Sequence, residues 1–305
     1  MKKDSKILII GHNSLTGKTL LRCLVADGYK RILTIPAGDL VKQSAVERFL
    51  MKNRPHYVFF MDVKSGGIGA NLTYPAEFIY NNLQAEINVM HFAHKAKVRK
   101  LLFVASSCVY PKDCRQPMKE DYVLSGSLEP TSEAFAIAKI AGMKMCQYYN
   151  HQYGADFISA IPATVYGPGD NFDLKTSHVI PALMRQFHEA KMNGRRNVTI
   201  WGSGRPRREF IHADDLAEAA MFIMQKPSVL PLINIGTGSD ISISELTVLL
   251  KRITNFKGKI LFDRSKPDGV FKKLLDITRL KSIGWTAKTG LETGLRDLYR
   301  WYVKQ

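Results

Sequence analysis

The sequence predicts an α/β protein: a Rossmann-type doubly wound parallel sheet with a smaller α+β substrate domain at the C-terminal end. Three observations predict it. The apolar run K-I-L-I-I-G from Lys6 to Gly11 enters a glycine turn and then a helical pattern. Strand-like runs alternate with helical stretches through the first half of the chain. After Asp170 the character changes, and shorter strands are set among basic and polar loops. The expected division is residues 1–165 plus 205–237 for dinucleotide binding, and 166–204 plus 238–305 for the substrate.

The first turn reads G-H-N-S-L-T-G from Gly11 to Gly17. A strand, a glycine turn and a helix N-terminus together aim backbone N–H groups at a pyrophosphate. The candidate cofactor residues here are Gly11, Asn13, Ser14, Leu15, Thr16 and Gly17. Ser14 stands where a middle glycine would allow close approach. The second strand runs near Arg31 to Leu33. The next positions, 34–38, hold neither an arginine for a 2′-phosphate nor an acid for a ribose diol, and Asp39 follows slightly late. Residues 44–53 read as a helix and 57–61 as a strand. The loop Lys64-Ser65-Gly66-Gly67 borders the cofactor region, with Lys64 as its cation. A long helix spans residues 75–97.

The strand over 100–105 ends in Ser106, Ser107 and Cys108. Ligands of open α/β sheets bind outside that end of the strands. Residues 133–149 form a helix with Ala136, Ala138, Ala141 and Gly142 on one side, where small side chains allow close packing. Phe157 to Ile161 is a strand, and prolines and glycines mark 162–170 as an irregular loop. The helix over 177–191 carries His178, Arg185 and His188, the last on a solvated face. Val198 to Gly202 is a strand. Asp214 and Asp215 begin a helix, where carboxylates suit the positive end of the dipole. Ile233 to Gly236 is one further strand. Ser242 to Glu245 is a capping box. A basic loop and an amphipathic helix close the chain.

Hydrophobic content of 45% supports a sizeable core. No apolar run is long enough to span a bilayer. The four cysteines form no C-x-x-C pair, which argues against a zinc site or disulfide scaffold and fits a reducing cytoplasm. The net charge of +17 is spread along the chain and no nucleic-acid motif accompanies it. Neither a nucleic-acid nor a membrane partner is expected.

Several stretches together resemble the extended short-chain dehydrogenases/reductases, and within them the GDP-fucose synthases. These are Y-P-A-E-F-I-Y-N-N-L (74–83), S-S-C-V-Y-P (106–111), the E-P-T…A-I-A-K-I-A-G stretch that begins at Glu129, Y-G-P-G-D-N-F-D-L (166–174), S-H-V-I-P-A-L (177–183), R-E-F-I-H-A-D-D (208–215) and S-K-P-D-G (265–269). The likeness covers nearly the whole chain. It implies NADP or NAD as cofactor, a GDP-linked 4-keto-6-deoxy sugar as ligand, and a homodimer built from the helices after Pro75 and Glu133. It implies that Ser106 and Lys139 serve hydride transfer to a C4 ketone, with Lys139 also on the cofactor, and that Cys108 and His178 invert C3 and C5. It implies that Arg208 grips the diphosphate beside Trp201, and that Ser107, Arg185 and the basic loop at Lys272 also meet substrate.

The departures are as informative. The tyrosine of the reductase triad is Phe135, and the arginines used on the NADP phosphate are Asn13 and Ile35. A phenol beside an ammonium supplies the proton that a C4 alkoxide needs. Phenylalanine has none to give. Epimerisation needs no such proton, because the 4-keto group already acidifies C3 and C5, and a thiol and an imidazole can exchange protons near neutrality. The expected function is an epimerase whose C4 reduction is weakened or lost. Two alternatives stand beside it: a complete bifunctional enzyme carrying a Tyr-to-Phe replacement, and a non-catalytic protein that binds a dinucleotide or sugar nucleotide.

Overall fold

The computed structural model describes residues 1–174, 176–227, 231–266 and 268–305. In chain order the first elements are β1 (Lys6–Ile10), α1 (Leu15–Ala26), β2 (Arg31–Thr34), α2 (Ala37–Leu40), α3 (Gln43–Asn53), β3 (Tyr57–Phe60), α4 (Ile68–Thr73), α5 (Pro75–Lys95), β4 (Lys100–Val104), α6 (Glu133–Tyr153) and β5 (Phe157–Pro162). They are followed by β6 (Thr164–Tyr166), α7 (Val179–Met192), β7 (Asn197–Trp201), β8 (Arg207–His212), α8 (Ala213–Gln225), β9 (Leu232–Ile235), β10 (Asp240–Ser242), α9 (Ile243–Thr254), β11 (Lys259–Asp263), β12 (Lys272–Lys273), α10 (Thr278–Ser282) and α11 (Leu291–Tyr302).

A six-stranded parallel sheet of order β2-β1-β3-β4-β5-β9 forms the centre. The inner strands β1, β3, β4 and β5 are largely buried because helices cover both faces, whereas the edge strand β2 exposes Arg31 and Thr34. β4 and β5 are buried at every position. The larger buried cluster spreads over this sheet and also takes in Leu275, Ile277, Leu280 and Trp285 from near the C-terminus. A second cluster joins Tyr166, Ile180, Leu183, Phe187, Phe210, Leu250 and Leu298, which lie in β6, α7, β8, α9 and α11.

Three local features follow the sequence closely. Ser242 and Glu245 form the capping box of α9, each side chain bonding the other's backbone N–H. Asp214 and Asp215 lie in the first turn of α8. A Gly142 side chain would collide with Glu86 and Phe103, each at 2.7 Å, so the small residue is what lets α6 reach α5 and β4.

Two expectations need correction. The stretch 162–170 is not wholly irregular: Thr164–Tyr166 pairs in parallel with β8, a partner too remote in sequence for local pattern to reveal. His188 is not on a solvated face. It is half-buried, its Nδ1 lies 3.1 Å from the Tyr299 hydroxyl, and its ring meets Tyr302 edge-on. The aromatic α11 covers what the α7 pattern alone reads as outward.

The turn before α1 is the tightest point that the site depends on. Gly11 has φ of +79°, and a side chain there would strike the Asp62 backbone at 2.3 Å. A Gly17 Cβ would sit 2.1 Å from the Gly11 carbonyl oxygen. Gly17→Ala therefore forces the turn off the end of β1. The expected loss in urea unfolding is about 1–3 kcal/mol. An unchanged midpoint would show that the turn has slack.

Candidate active site

Ser14 resolves its own departure from the glycine pattern. Its hydroxyl accepts from Gly17 N at 3.1 Å and donates to Gly11 O at 2.8 Å, which makes it the N-cap of α1. The N–H groups of Leu15 and Thr16 in that first turn have no helical carbonyl to bond. A bare glycine turn and a helix N-terminus fit a dinucleotide pyrophosphate. Asn13 is exposed beside them. Ile35 is turned into the larger core at 3% exposure, so nothing at that position reaches a phosphate. Asp39 lies in α2 with Lys42 Nζ 3.5 Å away. Lys64 pairs with Glu77 and lies over the rings of Tyr74 and Phe78.

The end of β4 is built as the sequence suggested. Ser106 caps a short 3₁₀ turn, its hydroxyl accepting weakly from Cys108 N at 3.4 Å. Ser107 is half-buried in that turn and Cys108 is buried. Cys108 shares an apolar cluster with Ala70, Phe78, Phe135 and Ala136. Phe135 meets Phe78 edge-on at 6.0 Å. Lys139, one turn further along α6, is 1% exposed and lies 3.2 Å from Glu86 Oε1.

His178 caps α7 through its backbone and its ring is exposed. The turn before it is tied to the same region. Gly67 N donates to Thr176 O at 3.1 Å, and a Gly67 side chain would hit Ser177 O at 2.6 Å. Gly66 in turn borders Ala70 and Phe78 of the Cys108 cluster. One short loop thus links the cysteine cluster to the histidine turn.

The titration directions complement each other. Burial pushes the Cys108 thiol up, with Lys273, the Ser106 hydroxyl and Lys139 pulling it down. Protein crowded around His178 pushes its imidazole down, with Asp62 opposing.

The basic groups sort by strand parity. In the register of β8 and β12, Arg207 faces Lys272 and Arg208 faces Lys273. Arg207 and Lys272 both bind Asp240, at 2.6 and 3.1 Å. Arg208 makes no ion pair among the described residues, and burial pushes its guanidinium down while Glu129 and Asp268 raise it. Lys273 is pushed down by burial, raised by Cys108 and lowered by Arg208. The cation that accompanies Arg208 is therefore Lys273, and Lys272 is spent on Asp240. The sequence offers the K-K pair but not the parity. Arg185 is held by Glu189 at 2.7 Å and by the Phe172 carbonyl at 3.0 Å. Trp201 is 74% exposed at the end of β7, with Lys266 Nζ 5.7 Å from its ring centre.

Sequence reasoning missed Glu86, Asp62 and Lys273. Nothing local marks Glu86 as buried; only the small residues expected on the 133–149 helix hinted at a close neighbour there. Among the described residues no His/Cys/Asp/Glu group could hold a metal ion, and no helix is long and apolar enough to cross a membrane.

The chain's residues 7–236 match the model of the NAD dependent epimerase/dehydratase family. The GDP-L-fucose synthase 1 of Arabidopsis thaliana is 49% identical over 304 residues, covering 99% of this chain and 94% of that protein. A GDP-6-OMe-4-keto-L-xylo-heptose reductase from C. jejuni superimposes with a TM-score of 0.94 at 36% identity, over 100% of this chain and 99% of its own. The GDP-mannoheptose C4 reductase MlghC from Campylobacter jejuni, solved with NADP bound, gives 0.91 at 37% identity over 99% of each chain.

Lys273 should govern the thiol. Lys273→Met removes a cation that pulls the Cys108 thiol down, so the thiol is pushed up further. Alkylation of the Cys108 peptide by iodoacetamide at pH 8, followed by mass mapping, should slow by about three- to tenfold as the thiolate fraction falls. An unchanged rate would separate Lys273 from the thiol.

Proposed function

Because the chain belongs to the NAD dependent epimerase/dehydratase family, we propose that it is a nucleotide-sugar epimerase of the GDP-fucose synthase type. In this reading it inverts C3 and C5 of a GDP-linked 4-keto-6-deoxy-hexose, and C4 reduction is weak. The observation that carries the reading is the short loop at Gly66 and Gly67, which ties the buried Cys108 cluster to the turn that bears His178. Burial pushes the thiol up and the imidazole down. Near neutrality the thiol keeps its proton and the imidazole is free. One is then an acid and the other a base, without either needing to be ionised first.

The residues divide the work. His178 takes a proton from the carbon next to the ketone, and Cys108 returns one from the opposite face. Negative charge that develops on O4 is met by the hydroxyls of Ser106 and Ser107. Arg208 and Lys273 hold the diphosphate, and Trp201 lies by the base. The Gly11–Gly17 turn and Lys139 would hold the dinucleotide, which when bound would supply hydride. NADP bound to the Campylobacter jejuni reductase supports NADP or NAD as the cofactor. The division into 1–165 plus 205–237 and 166–204 plus 238–305 belongs to this proposal. So does a homodimer through α5 and α6, which expose Tyr80, Ile87, Ile137 and Tyr148.

Incubation of GDP-4-keto-6-deoxy-mannose in deuterated water tests the reading. Deuterium should enter at C3 and C5, and Cys108→Ser or His178→Asn should slow this by about 10²–10⁴-fold. No incorporation by the unaltered protein would end the proposal. The pH profile should be flat between the two pKa values. It should fall below the histidine value, which lies under 6.5, as the base is protonated, and above the thiol value, over 9.0, as the acid is lost. A rate that climbs toward pH 9 would instead make the thiolate the base.

Phe135→Tyr should raise NADPH-dependent C4 reduction by about 10²–10⁴-fold, the usual worth of a positioned general acid. If reduction is already fast with Phe135, the complete bifunctional reading replaces the present one.

A further inference from the structure

Glu86 lies in α5 and is fully buried against Lys139 of α6. The two groups are 3.2 Å apart at Glu86 Oε1 and Lys139 Nζ, yet neither has a well-formed hydrogen bond among the described residues. The surroundings are apolar. Lys139 Nζ lies 4.8 Å from the Phe103 ring centre, 5.5 Å from Phe135 and 5.9 Å from Phe60. Gly142 leaves the space that Glu86 Oε2 fills. A dry ion pair with unused bonding capacity is costly, and a ligand that engages one member would offset the cost. Asp62 is the other carboxylate that Glu86 feels, and its backbone packs on Gly11 of the dinucleotide turn. Asp62 thus stands between the pair and that turn.

We propose that Glu86 is a positioning residue for Lys139, and that its carboxyl proton sets the net charge the pair presents to a bound nicotinamide dinucleotide. The inference rests on Lys139 facing the cofactor, as in the reading above. With Glu86 ionised the pair is neutral and the ammonium is drawn onto the carboxylate. With Glu86 protonated the pair carries one positive charge, and the ammonium is free to engage the ligand. Burial pushes the Glu86 carboxyl up to about 7, with Lys139 opposing and Asp62 adding. Both states are thus within reach of ordinary buffers. The titratable groups that face Glu86 are Lys139 and Cys146 on α6 and Asp62 after β3. The Cys146 thiol, raised to about 12 chiefly by burial, stays protonated throughout this range.

The sign follows from linkage. An anionic ligand favours the protonated carboxyl, so binding takes up a proton near neutrality, and affinity falls as pH rises through the free-state value. NADH is the probe, because it lacks a 2′-phosphate that titrates nearby. Its Kd for the unaltered protein, read by fluorescence from pH 5.5 to 8.5, should weaken by roughly three- to tenfold. Glu86→Gln mimics the protonated state and should remove the step, leaving the tighter affinity at high pH. Glu86→Asp should restore a step at a shifted pH.

Calorimetry of NADH binding at pH 7, in two buffers of different ionisation heat, should show proton uptake by the unaltered protein. That measurement holds even if Glu86→Gln fails to fold. A Glu86→Gln protein with the original step overturns the proposal, whatever its Tm, and so does an absence of proton uptake. No sugar nucleotide is present, so failure of the epimerase reading leaves this result untouched. An unaltered protein that binds no dinucleotide at any pH would overturn the inference together with the cofactor assignment of Lys139.

Discussion

The close approach of α5 and α6 is the constraint on which the candidate site depends. Gly142 contributes no side chain, so Glu86 and Phe103 can fill the space beside it, and Lys139 is carried in against them. Breaking a buried pair of this kind by removing one partner typically costs about 3–5 kcal/mol, because the other charge is left dry and alone. The same helix turn fixes Phe135 over Phe78 and sets the apolar cluster around Cys108. The position of the thiol and that of the ammonium are thus two consequences of one helix–helix contact.

A second constraint is parity. In a strand, neighbours point to opposite faces, so a run such as R-R or K-K splits between two environments. Here one face of β8 and β12 is neutralised by Asp240, and the other keeps Arg208 and Lys273 without ion pairs among the described residues. Two adjacent lysines of identical chemistry therefore have different work. Burial on the second face lowers both cations' hold on their protons, and Glu129, near both, opposes that lowering.

Much of this was legible before the structure. The glycine turn, the capping box at Ser242 and the serines after β4 are local signals, each needing only a few consecutive residues. What was illegible depends on pairing across long separations. β6 is a strand only because β8 lies beside it. His188 is covered by an aromatic helix more than 100 residues later. Lys272 and Lys273 cannot be told apart until their register with Arg207 and Arg208 is known. Glu86 sits in a helix that also buries Asn82 and Asn88, and only the absent side chain at Gly142 makes room for a carboxylate inside. Ser14 is a milder case. Read against a glycine pattern it looks like damage, but its hydroxyl performs the cap that organises the turn.

Phe135 gains its meaning from what surrounds it. The ring keeps the shape of the site, packed edge-on to Phe78 and within cation–π range of Lys139. What is missing is a single acidic proton, not a wall. A site that had merely decayed would have no reason to keep an ammonium buried at 1% exposure, against a carboxylate that burial disfavours. Apolar residues of like volume often pack in such a place at no greater cost, so the pair is not explained by stability alone. Burial sets the direction at both the thiol and the imidazole, with Lys273, Ser106 and Lys139 opposing it at the first and Asp62 at the second, and neither draws on a phenol. In the proposed reading, proton exchange at carbon and hydride transfer to carbon are therefore separable, and losing one donor weakens the second while leaving the first its own acid and its own base.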